Sequence, residues 1–152
     1  MADAPAPPAG FRKVVVDLPI YTFQIDFNRH VSNIVYVQWM EVARLKLLEE
    51  LGLPVHEIEK AGFVPVLIET RISYLRPLAL GDPACVELWL SELGNASAWL
   101  EFRFYGAGGA LAATGRQKGL FVSTATMRPI KLTDAQRRLF EPYLGPSEAA
   151  GA

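Results

Sequence analysis

Residues 24–52, QIDFNRHVSNIVYVQWMEVARLKLLEELG, decide how this chain folds. Asp26, Asn28, Arg29, His30 and Asn33 crowd into ten residues and are followed at once by a long apolar run. Ile34, Val37, Leu45, Leu48 and Leu51 recur at helical spacing, and Val35, Trp39 and Val42 widen the apolar surface almost all round. The pattern predicts a helix over 32–51. Gly52 and Pro54 mark its stop, because glycine accepts the left-handed position after a helix and proline cannot continue one. A helix that is apolar on every side belongs inside something, with its polar start held at one point.

Four runs that read as strands follow a short helical turn over 54–62. In residues 63–78, Val64, Val66, Ile68, Ile72 and Tyr74 fall on one side, opposite Glu69, Arg71 and Ser73. Residues 83–93 alternate Val86, Leu88 and Leu90 with Glu87, Trp89 and Ser91, and 96–106 place Leu100, Phe102 and Phe104 opposite Glu101 and Arg103. Residues 110–124 make the fourth run, and a short amphipathic helix follows with Thr133 or Asp134 as its N-cap. An earlier strand is expected over 11–25, bent at Pro19. Short turns between consecutive strands favour antiparallel neighbours, so the class is α+β, one sheet on one long helix. A single sheet cannot cover such a helix, which predicts at least a dimer.

Composition narrows the partners. The net charge of −1, with both signs interleaved, provides no basic stripe for nucleic acid. No apolar run approaches a membrane span and no secretory leader opens the chain, so a cytoplasmic protein is expected. Cys85 is the single cysteine; it excludes an internal disulfide and reads as a small buried hydrophobe. The alanine- and proline-rich residues 1–10 read as a disordered lead, 11–145 as one domain, and 146–152 as a disordered tail.

The chemistry gathers at the start of the helix. The first turn of a helix leaves N–H groups unpaired and carries about half a positive charge, so the N–H groups of Asn33, Ile34 and Val35 can receive an oxyanion. Asp26, a few residues upstream, can activate water or attack an acyl group itself. The same residues have plainer roles: Asp26 as an Asx-turn residue, His30 as a turn-ordering hydrogen bonder, Ser32 and Asn33 as caps. His56, the other histidine, lies in a charged surface segment, and no serine–histidine–acid set is evident.

Asp26, His30, Val31, Asn33 and Tyr36, followed by Trp39, Glu41, Ala43 and Arg44, resemble the signature of hotdog-fold acyl-CoA thioesterases of the 4-hydroxybenzoyl-CoA thioesterase type. Ile72, Tyr74, Pro77, Gly81 and Asp82 are similar to that family's strand-and-turn segment downstream. The resemblance spans residues 11–130. It implies a hotdog fold, an antiparallel sheet of about five strands wrapped around one central helix. It implies hydrolysis of an acyl-CoA, or alternatively an acyl-carrier-protein thioester, by a homodimer or homotetramer with sites at the subunit interface. No metal or other cofactor is implied, coenzyme A being part of the substrate.

Carried over by residue, Asp26 is the catalytic carboxylate, the backbone near Asn33 the oxyanion donor, and His30 a turn-shaping neighbour. Tyr36, Phe63 and Tyr74, with Phe27 and Trp39, are the expected walls of an acyl cavity. Arg76, Arg116 and Lys118 are expected near the phosphates, alongside Arg71, Arg128 and Lys131. Glu41 stands three residues from Arg44, so an ion pair and a role at the substrate are both open. The chain departs from the family pattern at Gln24, where many relatives have an acid; at Arg29, often glycine; and at Ser32, often asparagine. Two other activities fit less well: a hotdog enoyl-CoA hydratase or dehydratase, and a non-catalytic acyl-CoA-binding protein.

Overall fold

A computed structural model describes residues 10–148. The expected lead over 1–10 lies, apart from Gly10, outside the described residues, as does the tail beyond 148. Five strands form one sheet: β1 (Val14–Asp17), β2 (Phe63–Tyr74), β3 (Cys85–Leu93), β4 (Ser97–Tyr105) and β5 (Leu111–Ser123). Their order is β1-β3-β4-β5-β2, and every pairing is antiparallel. Helix α1 (Asn33–Glu50) packs on one face, and the short helix α2 (Asp134–Phe140) closes one end.

The end of α1 has a local cause. It ends in a paired cap: Gly52 adopts φ 79, its N–H donates to the Glu49 carbonyl at 3.0 Å, and the Leu53 N–H reaches the Leu48 carbonyl at 2.8 Å. Helix α2 begins at Thr133, whose side chain accepts from the Gln136 N–H while the Gln136 side chain accepts from the Thr133 N–H. The first strand is shorter than expected. Only Val14–Asp17 pair with β3, and beyond Pro19 the chain leaves the sheet for a 3₁₀ turn at Thr22–Gln24.

Two features of the sheet differ from the sequence reading. The strands do not follow one another across it, because β2 pairs with β5 and not with β3. The link 75–84 carries Pro77, Gly81 and Pro83 and is long enough to cross between distant strands. Its Leu78 carbonyl accepts the Val31 N–H at 2.8 Å on the way. The second difference is a bulge at Ile68, where the β2–β5 register shifts between Leu67 and Glu69. One extra residue inverts the alternation. Ile72 and Tyr74 oppose Gly115 and Ala113 on the helix side, whereas Val64 and Val66 oppose Val122 and Leu120 on the other face.

Inward positions of β3 and β4 pair Val86 with Phe104, Leu88 with Phe102 and Leu90 with Leu100, all buried. They meet Val35, Tyr36, Trp39, Met40, Ala43, Leu47 and Leu48 of α1. Close approach of helix to sheet depends on Gly115 in β5, where an added Cβ would stand 2.6 Å from the Met40 terminal methyl. The opposite side of the helix stays bare. Ile34, Val37, Val42 and Leu45 are exposed, so most of the stripe that defined the helix in the sequence is the side left uncovered.

The outer face of the sheet is partly closed by the chain's own ends. Trp89 is buried there, its ring 5.9 Å from Phe11 and its indole N–H donating to the Pro146 carbonyl at 2.9 Å. Arg103 bonds Glu148 at 2.7 Å, so the first residues of the expected tail are fastened to the sheet. Beside them, buried Glu101 accepts from Ser91 Oγ at 2.5 Å and Arg116 Nε at 2.8 Å. Among the described residues no helix is long and apolar enough to cross a membrane.

Gly115→Val should lower stability by about 1–3 kcal/mol through overpacking against Met40. In urea unfolding, the same change in a Met40→Ala background should cost measurably less; equal costs would show that the contact does not set the helix–sheet spacing.

Candidate active site

The turn before α1 is a closed hairpin. Ile25 and Val31 form an antiparallel bridge; the Asp26 N–H donates to the His30 carbonyl at 2.9 Å and the Arg29 N–H to the Asp26 carbonyl at 2.9 Å. Asp26 Oδ1 accepts from the Asn28 N–H at 2.8 Å and, longer, from the His30 N–H at 3.5 Å. The Asx-turn role is therefore real, and it occupies one carboxylate oxygen. Oδ2 has no hydrogen-bond partner among the described residues. Arg29 sits at φ 66, the left-handed region that costs a non-glycine residue about 1–2 kcal/mol. The tight turn thus survives the replacement of glycine by arginine, at a strain the surrounding hydrogen bonds offset.

Further bonds fix the turn against the helix. The Ser32 N–H donates to the Gln24 carbonyl at 2.9 Å, and the Tyr74 hydroxyl donates to the Asn33 carbonyl at 3.2 Å. Gln24 uses its own side chain to accept the Tyr21 N–H at 2.8 Å, capping the 3₁₀ turn. Ser32 is the N-cap of α1 with no side-chain cap bond. The Val35 N–H is taken by the Ser32 carbonyl at 2.9 Å, so two donors remain rather than the three expected. The N–H groups of Asn33 and Ile34 have no acceptor among the described residues.

An open cleft of about 340 Å³ brings together Asp26, Asn28, His30, Asn33, Tyr36, Tyr74 and Arg76, with Val31, Leu75 and Pro77 completing its walls. Tyr36 lies at its base, buried and edge-on to the rings of Trp39, Tyr74 and Phe104 at 5.2–5.3 Å. Burial, followed by the neighbouring Tyr74, pushes the Tyr36 hydroxyl up to about 12. Of the cleft's residues, Leu75 had no individual signal in the sequence, whereas Asn28 stood in the polar cluster before the helix and Pro77 in the downstream motif. Leu75 and Pro77 reach the cleft because the link 75–84 crosses beneath the turn, a consequence of strand order.

Other residues expected at the substrate lie elsewhere within one chain. Phe63 is core, edge-on to Phe121 at 5.6 Å. Trp39 is buried beneath Tyr36, and Phe27 points outward, 93% exposed. Arg116 and Lys118 are on the outer face of the sheet, with Arg116 stacked 4.0 Å from Trp99 and paired with Glu101. Arg71 is on that face too, 3.6 Å from Glu69. Glu41 and Arg44 are not within ion-pair distance. Arg44 Nη1 donates instead to Gln117 Oε1 at 2.6 Å, and Gln117 Nε2 to Thr70 Oγ1 at 3.1 Å. Burial lowers the Arg44 guanidinium while the field of Glu41 raises it. Glu41 and Arg44 line a second, apolar cavity further along α1.

Residues 22–140 match the family model described as the thioesterase-like superfamily. The chain belongs to that superfamily. Among its relatives is the Bacillus subtilis protein named "Putative acyl-CoA thioesterase YneP", 28% identical over 100 residues, 66% of this chain and 72% of that one. An Arabidopsis thaliana protein, acyl-acyl carrier protein thioesterase ATL3, chloroplastic, is 25% identical over 138 residues, covering 88% and 70% of the two chains. A Thermus thermophilus thioesterase solved with coenzyme A and Zn superposes with a TM-score of 0.72 at 27% identity, over 86% of this chain and 93% of that one. The five-stranded sheet on a central helix is the hotdog fold these thioesterases share, and the chain is by family a thioester hydrolase.

The buried phenol gives a test of the cleft's base. An unfolded tyrosine ionises near 10 and the folded Tyr36 near 12, so between these values the native state holds a proton that the unfolded state has lost. Stability should therefore fall by about 2–3 kcal/mol as pH rises through that window. Urea unfolding of Tyr36→Phe should show a drop smaller by that amount, and an identical pH slope in both proteins would contradict the assignment.

Proposed function

We propose that the protein hydrolyses acyl-CoA thioesters, with Asp26 as the catalytic carboxylate and the start of α1 as the oxyanion site. One observation carries the reading: a single cleft holds an Asp26 carboxylate with one oxygen uncommitted beside Asn33, whose N–H has no acceptor among the described residues. The names of the B. subtilis and T. thermophilus relatives support coenzyme A as the carrier. Arg76, at the cleft wall, is the cation available to its phosphates.

A thioester is already an activated acyl donor, so few groups are needed. The carbonyl oxygen points at the N–H groups of Asn33 and Ile34. Asp26 Oδ2 takes a proton from water as the water oxygen attacks the carbonyl carbon. Collapse of the tetrahedral intermediate breaks the C–S bond, and the proton on Asp26 passes to the departing thiolate, leaving free acid and CoA. In the nucleophilic variant Oδ2 attacks first and water opens the resulting anhydride. Both routes run without a metal or redox cofactor. The Asx turn serves each of them by fixing Oδ1, which leaves Oδ2 as the reacting atom. His30 contributes its backbone to the same turn.

The active form in this proposal is a homodimer. β2 is an edge strand with an unpaired side, and Leu45 of the bare face of α1 lines one cavity with Val64, Pro65, Val66 and Leu67 of that strand. Antiparallel pairing of β2 with a second copy about a two-fold axis near its middle would continue the sheet. It would also bring the two helices side by side in opposite directions and cover Ile34, Val37, Val42 and Leu45. The start of each helix then faces the second half of the other, which makes each catalytic cleft an interfacial one.

Asp26→Asn should lower kcat for thiol release from acyl-CoA by about 10²–10⁴-fold with little change in substrate affinity. A wild-type rate in this variant would reject Asp26 as the catalytic carboxylate. Thiol-release assays on acyl-CoA and acyl-carrier-protein thioesters with the same acyl group identify the carrier.

A further inference from the structure

Two glycines in β5 face α1, for opposite reasons. Gly115 is demanded by packing, as the Met40 contact shows. Gly119 is not. A Cβ built there meets only the Val66 carbonyl oxygen, at an ordinary 3.5 Å, and its φ is not in the left-handed region. Neither the backbone nor a neighbour requires glycine at this position. Its cross-strand partner on β4 is Ala98, also small. Glycine inside a strand weakens it, and its use often marks the close approach of something else.

What lies over this pair is a cavity of about 430 Å³, walled by Leu48, Ile58, Leu90, Leu100, Phe121 and Phe140. Its exposed margin is apolar as well, formed by Leu45, Val55 and Leu67. The string Arg44–Gln117–Thr70 spans from helix through β5 to β2, and the cavity and the Asp26 cleft of the same chain share no lining residue. The two-fold pairing of β2 supplies a route. The strand's midpoint falls between Ile68 and Glu69, so Val64–Leu67 of one copy lie opposite Thr70–Ser73 of the other, and the next residue along, Tyr74, is a wall of the catalytic cleft. The cavity of one copy therefore opens toward the Asp26 site of its partner.

We infer that the acyl group is an unbranched aliphatic chain of medium length, seated in this cavity, with Gly119 and Ala98 setting how much chain it admits. This rests on the thioesterase reading of the Asp26 cleft. At about 30 Å³ for a methylene-sized unit, the share of liquid volume a water molecule takes, the cavity's 430 Å³ admits at most about fourteen units. Imperfect filling leaves room for about eight to twelve carbons. A single aromatic ring would leave most of the space empty. The walls match an alkyl chain, and among the described residues the charged ones lining the cavity are Glu41 and Arg44 alone.

The test is a chain-length profile of kcat/KM on wild type, Gly119→Val, Gly119→Ala and Ala98→Leu, with butyryl- to tetradecanoyl-CoA and benzoyl-CoA as substrates. Wild type should gain about fourfold per added methylene up to eight to twelve carbons and then decline. Gly119→Val and Ala98→Leu should each move the optimum at least two carbons shorter and cut the decanoyl-to-hexanoyl ratio at least tenfold. Gly119→Ala, whose Cβ fits without a clash, should shift it less. A best rate with benzoyl-CoA, a flat profile, or an optimum unmoved in the folded variants would overturn the inference. An unmoved optimum is also the outcome if side chains of a second copy fill the cavity. If no thioester is cleaved, the Asp26 reading fails instead, and calorimetry with decanoic acid decides the cavity on its own. Binding weakened at least tenfold by Gly119→Val sustains it, and no binding to wild type overturns it.

Discussion

The site depends on one mechanical constraint: the hairpin from Ile25 to Val31 and the first turn of α1 are locked together. The Ile25–Val31 bridge closes the loop, the Ser32 N–H ties the N-cap back to Gln24, and the Leu78 carbonyl and Tyr74 hydroxyl brace the junction from the sheet side. The carboxylate is thereby held at the helix mouth by covalent neighbours and backbone bonds, with no dependence on a long, mobile side chain. Arg29 in the left-handed region is consistent with that rigidity, since only an over-determined turn keeps a bulky residue there.

The rest of the molecule keeps the helix in place and leaves the right surfaces open. Gly115 lets α1 settle onto the sheet at Met40, and the paired cap at Gly52 stops it before the 3₁₀ turn. The sheet then covers only part of an apolar helix, and Ile34, Val37, Val42 and Leu45 stay exposed while β2 keeps an unpaired edge. The homodimer proposed above would use both surfaces and complete the two clefts. A polar string, Arg44–Gln117–Thr70, crosses the interior between helix and sheet.

Much of this was legible in residues 24–52. The helix, its stop and the Asp26 turn follow there from local periodicity and turn chemistry, as the strand-like runs do beyond Phe63, and those signals are carried by neighbours in sequence. The strand order was not legible. A proline-containing link can turn or cross, and only the packing of link 75–84 under the hairpin settles which. The bulge at Ile68 was hidden for a similar reason: the alternation over 63–78 is regular in sequence, and one looped-out residue inverts the facing of half the strand. That inversion, with the strand order, decides which side of the sheet each residue serves. Arg116 and Lys118 stand on the outer face, opposite Glu101 and Trp99 of β4 and outside the cleft of their own chain, and Arg44 reaches Gln117 across the core instead of Glu41 along its own helix.

The most direct measurement is the position of a bound thioester. A crystal structure of Asp26→Asn with an intact acyl-CoA would show where the reacting carbonyl lies. The account predicts its oxygen about 2.7–3.1 Å from the backbone nitrogen of Asn33 or Ile34, with the residue 26 side chain on the open side of the carbonyl carbon. A carbonyl bound away from the start of α1, or with residue 26 turned from it into solvent, would contradict the account.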